Sequence, residues 1–268
     1  MEIFTCIKQV PETREVEVDE KTGVLKRESA ETQLNPYDLY ALEAALNLKE
    51  KLSAHITAIS MGPPQAEEVI FESFMMGTDR GILLSDPAFA GADTLATAFT
   101  LARGIEKLGI PELIICGLQT TDGDTAQVGP GIAEFLGIPH ISAVRKIKKI
   151  RAEKIILESD LGRGTLEVEA PFPALISVNK DIGEPRLPSF RKKLATRDRP
   201  VEIWGKDDLS KKGETFFGLE GSPTRVEKIF PPEKKREHNL WEAPPEKLGD
   251  QMYKKLSELK LLREGDEL

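Results

Sequence analysis

The fold of this chain is indicated most directly by Leu113-Ile114-Ile115-Cys116-Gly117. Four apolar residues that end at a glycine are typical of a short strand covered on both faces, as in a parallel sheet. A polar loop follows at residues 122–129, and apolar residues then recur at helical spacing from Ile132 until Gly137. This order of strand, loop and helix is the unit from which parallel α/β sheets are built.

The same alternation precedes this unit, and closely spaced strands follow it. Strands are predicted at residues 3–7, 55–61, 81–85, 141–150, 154–160, 164–170 and 174–178. A helix is predicted to begin at Asn35-Pro36-Tyr37-Asp38, where Asn35 is a favoured N-cap and Pro36 suits the first helical position. Further helices follow the strands at 55–61 and 81–85. We therefore predict an α/β fold: a mostly parallel Rossmann-like sheet with helices on both faces, an antiparallel strand extension and a C-terminal arm.

The composition changes at about residue 200. Five prolines are spread through charged sequence with few apolar runs, so this segment cannot easily close a core of its own. Residues 246–262 carry leucine and methionine at helical spacing. We expect residues 1–200 to form a nucleotide-binding domain and residues 201–268 to form an extended arm whose terminal amphipathic helix packs on a partner subunit. The alternative is a disordered tail.

Charge and apolar content exclude several classes of protein. The formal net charge of -8 argues against nucleic acid as a partner, because proteins that bind it carry basic faces. The basic run at residues 145–154 fits a solvated strand face. The sequence starts without a signal peptide and no apolar run is long enough to cross a membrane, so we expect a cytoplasmic protein without membrane insertion.

The cysteines and histidines point away from disulfide and metal chemistry. Cys6 and Cys116 each lie in a predicted strand, which favours two buried thiols in a reducing compartment. The three histidines lack metal-ligand spacing, so no metal site is predicted.

Four junctions between strands and helices are predicted to meet at one edge of the sheet. In a parallel sheet, ligands bind beyond the carboxyl ends of the strands, where helix N-termini favour phosphate. The junctions are Cys6-Ile7-Lys8, Met61-Gly62-Pro63, Gly91-Ala92-Asp93-Thr94, and residues 117–129, which include Gly117 and Gln119. An ordinary turn explains any one of them, but four together favour nucleotide binding.

No catalytic residue is predicted. The sequence lacks a GxGxxG or P-loop motif and a nucleophile elbow. Asp122 and Asp124 could act as an acid–base pair, although roles in capping and turn formation fit a loop next to Gly123 better.

Several motifs resemble those of the small, β-type subunits of electron-transfer flavoproteins. They are Cys6-Ile7-Lys8-Gln9-Val10-Pro11, Asn35-Pro36-Tyr37-Asp38, Asp122-Gly123-Asp124-Thr125-Ala126-Gln127-Val128-Gly129-Pro130, Pro171-Phe172-Pro173-Ala174 and Glu184-Pro185-Arg186. The resemblance runs from residue 1 to about residue 230.

This resemblance implies an obligate heterodimer with a larger α subunit that carries a redox-active FAD. In simple members the β subunit binds AMP as a structural ligand, and in electron-bifurcating members the same site holds a second FAD that accepts hydride from NADH. Ferredoxin or flavodoxin is then the low-potential acceptor. The implied contacts with the nucleotide fall on Cys6, Asn35, Tyr37, Asp38, Met61 and the loop from Thr120 to Gly131, which includes Asp122, Gly123, Asp124, Thr125, Ala126, Gln127, Val128 and Gly129.

Residues 85–98 resemble the bifurcating branch, as does Gly221-Ser222-Pro223-Thr224. The resemblance places Asp93, Thr94 and Thr97 at a helix start, where they could meet the pyrophosphate of FAD. A simple helix cap explains the same residues nearly as well. The alternatives to a bifurcating subunit are a β subunit that holds structural AMP and a stand-alone nucleotide-binding regulator.

Residues 189–194 resemble the loop that docks partner dehydrogenases in this family. Phe190, Arg191 and Leu194 are the implied docking residues, because an exposed aromatic flanked by cations suits a binding hot spot. The implied partners are acyl-CoA dehydrogenase-type or quinone-reducing dehydrogenases. The alternative is a solvated basic loop.

Overall fold

The computed structural model of this chain describes residues 1–12, 31–209, 216–227 and 240–262. Residues 1–228 and residues 229–268 form two compact units. The first contains the sheet and its helices, and the second contains one helix.

Within the described residues, the first unit is built on a nine-stranded sheet. The strands of the chain are β1 Glu2–Cys6, β2 Gln9–Pro11, β3 Thr32–Leu34, β4 His55–Met61, β5 Arg80–Leu84, β6 Leu113–Gly117, β7 His140–Ile150, β8 Lys154–Asp160, β9 Thr165–Pro171, β10 Ala174–Val178 and β11 Glu202–Trp204. The order in the sheet is β11-β5-β4-β1-β6-β10-β7-β8-β9. Neighbours from β11 to β7 pair in parallel, and β8 and β9 extend the sheet with antiparallel pairs. Strands β2 and β3 form a small separate antiparallel sheet.

In the described residues the first five helices lie between strands, and the last two follow β11. The first four and the last are predicted from the sequence, whereas those at residues 190–195 and 206–209 are not. The helices are α1 Pro36–Leu52, α2 Glu67–Met76, α3 Thr94–Leu108, α4 Val128–Leu136, α5 Phe190–Ala195, α6 Lys206–Leu209 and α7 Pro245–Glu258. Glycine ends α2 and α4, at Gly77 with φ 132° and at Gly137 with φ 64°, because this backbone region is costly for other residues. The predicted α/β class, with a mostly parallel sheet and an antiparallel extension, is confirmed.

Two apolar clusters cover the two faces of the sheet. Successive residues of β1 point to opposite faces, so Ile3 packs in one cluster and Phe4 in the other. Helices α1 and α2 supply the first cluster, and α3 and α4 supply the second. Both faces are thus covered by helices, which explains why the parallel strands read as continuous apolar runs.

The segment after residue 200 contributes to the first unit. Strand β11 pairs with β5, and Leu209 and Phe217 are buried in the cluster of α3 and α4. The ring centroids of Phe217 and Phe99 are 5.1 Å apart. The division between the two units lies after Lys228, whereas the boundary predicted from composition lies at residue 200. Packing of the terminal helix on a partner stays a prediction, and no residue of α7 itself is buried.

The order of the strands creates a topological switch point. The chain runs from β1 to β4 and β5 on one side and then crosses to β6 on the other side of β1. The helices that follow β1 and β6 cover opposite faces of the sheet, and the carboxyl ends of these two strands lie side by side at this switch point, which we call the crevice. In open α/β sheets this topological switch point is where ligands bind.

Candidate functional site at the carboxyl ends of β1 and β6

A buried carboxylate joins the ends of the two strands. Asp38 lies in the first turn of α1, and its Oδ2 accepts the backbone N–H of Lys8, which follows β1, at 2.8 Å. Its carboxylate also accepts the backbone N–H of Gly117, the last residue of β6. Burial raises the pKa of Asp38 to about 7, although hydrogen bonds from Asn35, Lys8 and Gly117 favour the charged form.

Close packing at this point requires a glycine at position 117. A Cβ atom on Gly117 would lie 2.7 Å from the backbone carbon of Tyr37 and closer still to Oδ1 of Asp38. The absence of a side chain is what allows α1 to begin directly against the end of β6.

Asn35 occupies the N-cap position of α1 but does not cap it. Its side chain makes no capping hydrogen bond, so the predicted capping role is wrong. Instead, Nδ2 donates to the carbonyl oxygen of Gln119 at 3.0 Å, and Oδ1 accepts the N–H of Thr121 at 3.3 Å. The backbone N–H of Asn35 donates to the carbonyl oxygen of Lys8 at 2.9 Å. Asn35 therefore connects the loop after β6 with Lys8, just beyond β1.

The loop between β6 and α4 is fixed by its own polar groups. The amide of Gln119 donates to the hydroxyl of Tyr37 at 3.3 Å and to the carboxylate of Asp124. The N–H of Gly123 donates to Oδ1 of Asp122 at 2.8 Å, and the N–H of Asp124 donates to the carbonyl oxygen of Thr120 at 3.0 Å. These contacts are those of a turn, as the sequence analysis favours for Asp122.

The loop leads into the exposed start of α4. Asp124 and Ala126 have φ of 54° and 55°, and Asp122, Gly123, Asp124 and Thr125 are exposed. Among the described residues, no side chain caps the first turn of α4, whose N-cap is Gln127. A helix start leaves N–H groups without intrahelical partners, and such groups favour an anion.

The first turn of α4 lies directly over the sheet. A Cβ atom on Gly129 would lie 2.8 Å from Oγ of Ser177 in β10 and 3.9 Å from Cβ of Cys116 in β6. The open N–H groups at the start of α4 are those of Val128 and Gly129, because Pro130 has none, and they lie at the carboxyl edge of β6.

The two cysteines lie side by side beneath this edge. Cys6 and Cys116 are register partners in β1 and β6, and both are buried and free. A hydrogen bond with Cys6, together with burial, raises the pKa of Cys116 well above its ordinary value. A protonated, buried thiol is a poor nucleophile.

Met61 and Gly62 bring a third strand end to the same edge. Met61 ends β4, the other neighbour of β1, and is half-buried. The N–H of Gly62 donates to the carbonyl oxygen of Leu84 at 3.1 Å. A Cβ atom on Gly62 would lie 2.8 Å from Cβ of Ala66, so a glycine is needed for the tight turn into α2.

Asp93 caps the N-terminus of α3, which is the alternative to pyrophosphate binding that the sequence leaves open. Its Oδ1 accepts the N–H groups of Leu95 and Ala96 at 3.0 and 3.1 Å. Its Oδ2 accepts the N–H and the hydroxyl of Thr224 at 3.1 and 2.8 Å. Burial acts to raise the pKa of Asp93, but these hydrogen bonds outweigh it and lower the pKa. Both oxygens are thus engaged within the protein.

Thr94 links α3 to the loop before α4. Its hydroxyl donates to Oε1 of Gln127 at 3.1 Å, while Thr97 is half-buried one turn further along α3. The structure thus brings Cys6, Met61, Gly117 and residues 119–129 together at one edge, with α3 joined to them through Thr94. Contact of any of these residues with a nucleotide stays a prediction.

Comparison with known proteins identifies the family of this chain. The model of the electron transfer flavoprotein domain matches residues 22–209. The chain is 42% identical to the electron transfer flavoprotein subunit beta of Clostridium acetobutylicum, over 96% of this chain and 98% of that protein. The chain belongs to the electron transfer flavoprotein family.

Relatives with other names also match most of the chain. Subunit CarD of the caffeyl-CoA reductase–Etf complex of Acetobacterium woodii is 42% identical, over 87% of this chain and 88% of that subunit. Protein FixA of Azorhizobium caulinodans is 38% identical, over 88% of this chain and 86% of that protein. These matches confirm the predicted resemblance to β subunits of electron transfer flavoproteins.

In this electron transfer flavoprotein subunit, the segment predicted to dock dehydrogenases is a short helix, α5. The N–H of Ser189 donates to the carbonyl oxygen of Met75 at 3.1 Å, and the ammonium of Lys192 donates to that of Met76 at 2.6 Å. These contacts fix α5 on the end of α2. They leave Phe190 and Leu194 73% and 61% exposed, with Arg191 also exposed. Docking by these residues stays a prediction.

Lys8, which lies in a predicted junction but has no predicted contact with the ligand, and Ser177, which is not predicted, also lie at this edge. The ammonium of Lys8 lies 2.6 Å from Oδ2 of Asp122, across the crevice. Ser177 lies beneath Gly129, and its hydroxyl is 2.9 Å from Nε2 of His140. A cation directly after β1, facing an acidic loop at the same edge, is the signal that could have identified Lys8.

The described residues include no cluster of three or more histidine, cysteine or acidic side chains that could hold a metal ion. Within the same part of the chain, none of the helices is both long and apolar enough to span a membrane.

Replacement of Gly117 by alanine should destabilise the fold. The new methyl group must displace Asp38 or the backbone at Tyr37, so we expect Gly117→Ala to lower the free energy of unfolding by about 2 kcal/mol or more. Gly123→Ala is the matched control in the same loop, because its Cβ would lie 3.5 Å from Oγ1 of Thr120 at ordinary contact distance. Urea denaturation checks both variants, and equal stability of the two would contradict the packing argument.

The buried carboxylate should make stability depend on pH. Its pKa is raised from 3.8 to about 7 by folding, so the folded state binds more protons than the unfolded state between these values. The contribution of Asp38 is therefore fully present below about pH 4 and is lost as the pH rises through about 7. In urea denaturation across this range, wild type should lose stability relative to Asp38→Asn as the pH rises. Parallel pH profiles of the two proteins would show that Asp38 does not titrate in this window.

Proposed function

We propose that this chain is the β subunit of a heterodimeric, electron-bifurcating electron transfer flavoprotein, and that it binds FAD at the crevice between β1 and β6. When bound, FAD would supply the redox chemistry, namely acceptance of hydride from NADH and transfer of electrons to the FAD of the α subunit and to a low-potential ferredoxin or flavodoxin. The chain itself supplies positioning and electrostatics. We assign it no catalytic side chain, and NADH oxidation belongs to the complex.

The single observation that carries nucleotide binding is the open first turn of α4 at the topological switch point. Its N–H groups lack a capping side chain among the described residues, which suits them to a phosphate. The loop at residues 119–127 is held in place by Asn35 and Tyr37, so these residues orient the donors before a ligand binds. Cys6, Met61, Gly62 and Gly117 lie at the same edge, where we expect the half-buried side chain of Met61 to contact a base or sugar.

A second nucleotide phosphate would be held at the start of α3. The hydroxyl of Thr94 already reaches Gln127 at the N-cap of α4, so the two helix starts lie close enough for a pyrophosphate to contact both. In this proposal Thr94 and Thr97 bind through their hydroxyl groups. Asp93 holds α3 and the segment at residues 222–224 in place rather than contacting the ligand.

The second candidate is a non-bifurcating β subunit that binds AMP as a structural ligand. One observation favours it: the N–H groups of Leu95 and Ala96 are already bonded to Asp93, so α3 offers fewer free donors than α4. A ligand with one phosphate needs only α4. In this case all electron transfer takes place on the α subunit.

The proposed partners follow from the family and from the relatives. A β subunit implies an α subunit as the obligate partner. CarD is named as a subunit of a caffeyl-CoA reductase–Etf complex, which supports an acyl-CoA dehydrogenase-type or quinone-reducing dehydrogenase as the high-potential partner here. The exposed side chains Phe190, Arg191 and Leu194 on α5 form the proposed docking surface.

A count of flavin and adenine nucleotide separates the two candidates. The full chain, purified with its α subunit, should contain two FAD per heterodimer, and anaerobic NADH should bleach a flavin absorbance band. One FAD together with one AMP, or no reduction by NADH, would overturn the bifurcating assignment and leave the AMP-binding subunit. A heterodimer that contains no nucleotide except the FAD of the α subunit would contradict both the FAD-binding and the AMP-binding candidate.

Truncation of the docking surface should slow electron exchange with the dehydrogenase. We expect Phe190→Ala and Leu194→Ala each to reduce the rate by about ten-fold, since exposed apolar anchors dominate such interfaces. Leu166→Ala is the matched control, because Leu166 is an apolar side chain of β9 that is 49% exposed. Stopped-flow measurement of flavin reduction provides the rate, and NADH reduction of the isolated heterodimer should stay unchanged. Equal effects of the three variants would argue against α5 as the docking site.

A further inference from the structure

Lys8 spans the crevice where the nucleotide is proposed to bind. Its backbone is fixed at the exit of β1, because its N–H donates to Asp38 and its carbonyl oxygen accepts the N–H of Asn35. Its side chain reaches the loop after β6, where Nζ lies 2.6 Å from Oδ2 of Asp122. The side chains of Lys8 and Asp122 are 42% and 33% exposed, so solvent and ligands can reach this ion pair.

The loop that presents α4 to a phosphate carries two carboxylates. Asp122 and Asp124 lie within six residues of the first turn of α4, and an unpaired carboxylate there would repel a phosphate. The carboxylate of Asp124 accepts a hydrogen bond from the neutral amide of Gln119. Asp122 is ionised: burial acts to raise its pKa, but the hydrogen bond and charge of Lys8 outweigh this effect and lower the pKa. The described contacts thus give Asp122 a cationic partner and Asp124 a neutral one.

We propose that Lys8 is a positioning residue that neutralises Asp122 and thereby allows an anionic nucleotide to bind at the start of α4. This inference rests on the proposed nucleotide site and adds a residue that the sequence analysis does not assign. Lys8 acts through Asp122 and the loop, and it does not bind the phosphate directly. The ion pair also joins the two sides of the crevice, so it holds the loop over the strand ends before the ligand arrives.

Loss of the lysine should weaken binding of charged nucleotides only. With Lys8→Met, the carboxylate of Asp122 remains without its cation, and we expect AMP to bind about five- to twenty-fold more weakly at low salt. The effect should shrink at high ionic strength, because the carboxylate remains exposed to counterions. Adenosine, which has no phosphate, should bind Lys8→Met and wild type equally.

A double-mutant cycle distinguishes neutralisation from direct contact. The full chain is purified with its α subunit, its bound nucleotide is removed, and AMP binding is measured by isothermal titration calorimetry. If Lys8 acts through Asp122, then Lys8→Met/Asp122→Asn binds AMP as tightly as Asp122→Asn alone. If the double variant is weaker than Asp122→Asn by the same factor that separates Lys8→Met from wild type, Lys8 contacts the phosphate itself and the proposal is wrong. Unchanged AMP binding by Lys8→Met also overturns it.

Two controls separate this result from general damage and from failure of the proposed site. Lys154→Met removes a lysine of similar exposure that pairs with Glu169 on the strand extension, and it should leave AMP binding unchanged. Circular dichroism should show that each variant keeps the fold. If wild type itself binds neither AMP nor FAD, the proposed nucleotide site fails as a whole, which differs from a result in which wild type binds and Lys8→Met binds equally well.

Discussion

The carboxylate of Asp38 is the interaction on which the site depends. It accepts hydrogen bonds from the backbone N–H groups of Lys8, just beyond β1, and of Gly117, the last residue of β6. Asp38 therefore joins the carboxyl ends of the two strands. The parallel ladder between the strands ends there, and these N–H groups would otherwise lack acceptors. Asp38 can reach both only because Gly117 has no side chain. The start of α1, the exit of β1 and the loop after β6 are thereby held against one another.

Much of this fold is predictable from local sequence. The strands at residues 55–61, 113–117 and 174–178 have the predicted bounds, because short apolar runs bounded by polar or small residues are a local signal. The segment after residue 200 is different. Phe217 is buried against Phe99, and a Cβ on Gly218 would overlap the carbonyl oxygen of Ala88. Leu209 and Phe217 are isolated buried residues that create no periodic pattern, so the sequence predicts an arm for a segment that contributes to the core.

The candidate site shows the same limit at the level of single residues. The position of Asn35 before a helix follows from the Asn-Pro pair, but its hydrogen bonds to Gln119 and Thr121 span more than 80 residues of sequence. Asp93 shows the reverse case: the local capping pattern predicts its bonds to Leu95 and Ala96, whereas its bonds to Thr224 depend on the path of a distant segment. Local rules therefore locate the residues of the edge, and tertiary contacts decide which of them remain free for a ligand.

The acidic character of the chain has a consequence for phosphate binding. Asp38, Asp93, Asp122 and Asp124 all lie at or near the proposed site, in a protein whose net charge is -8. Each is matched within the fold: backbone N–H groups bond Asp38, helix and threonine donors bond Asp93, the ammonium of Lys8 pairs with Asp122, and the amide of Gln119 bonds Asp124. A carboxylate whose oxygens are engaged by local donors repels an approaching anion less than a bare one. The first turn of α4 thus keeps unpaired donors while the surrounding acids are satisfied, and this difference is the physical basis of the proposed phosphate site in an acidic protein.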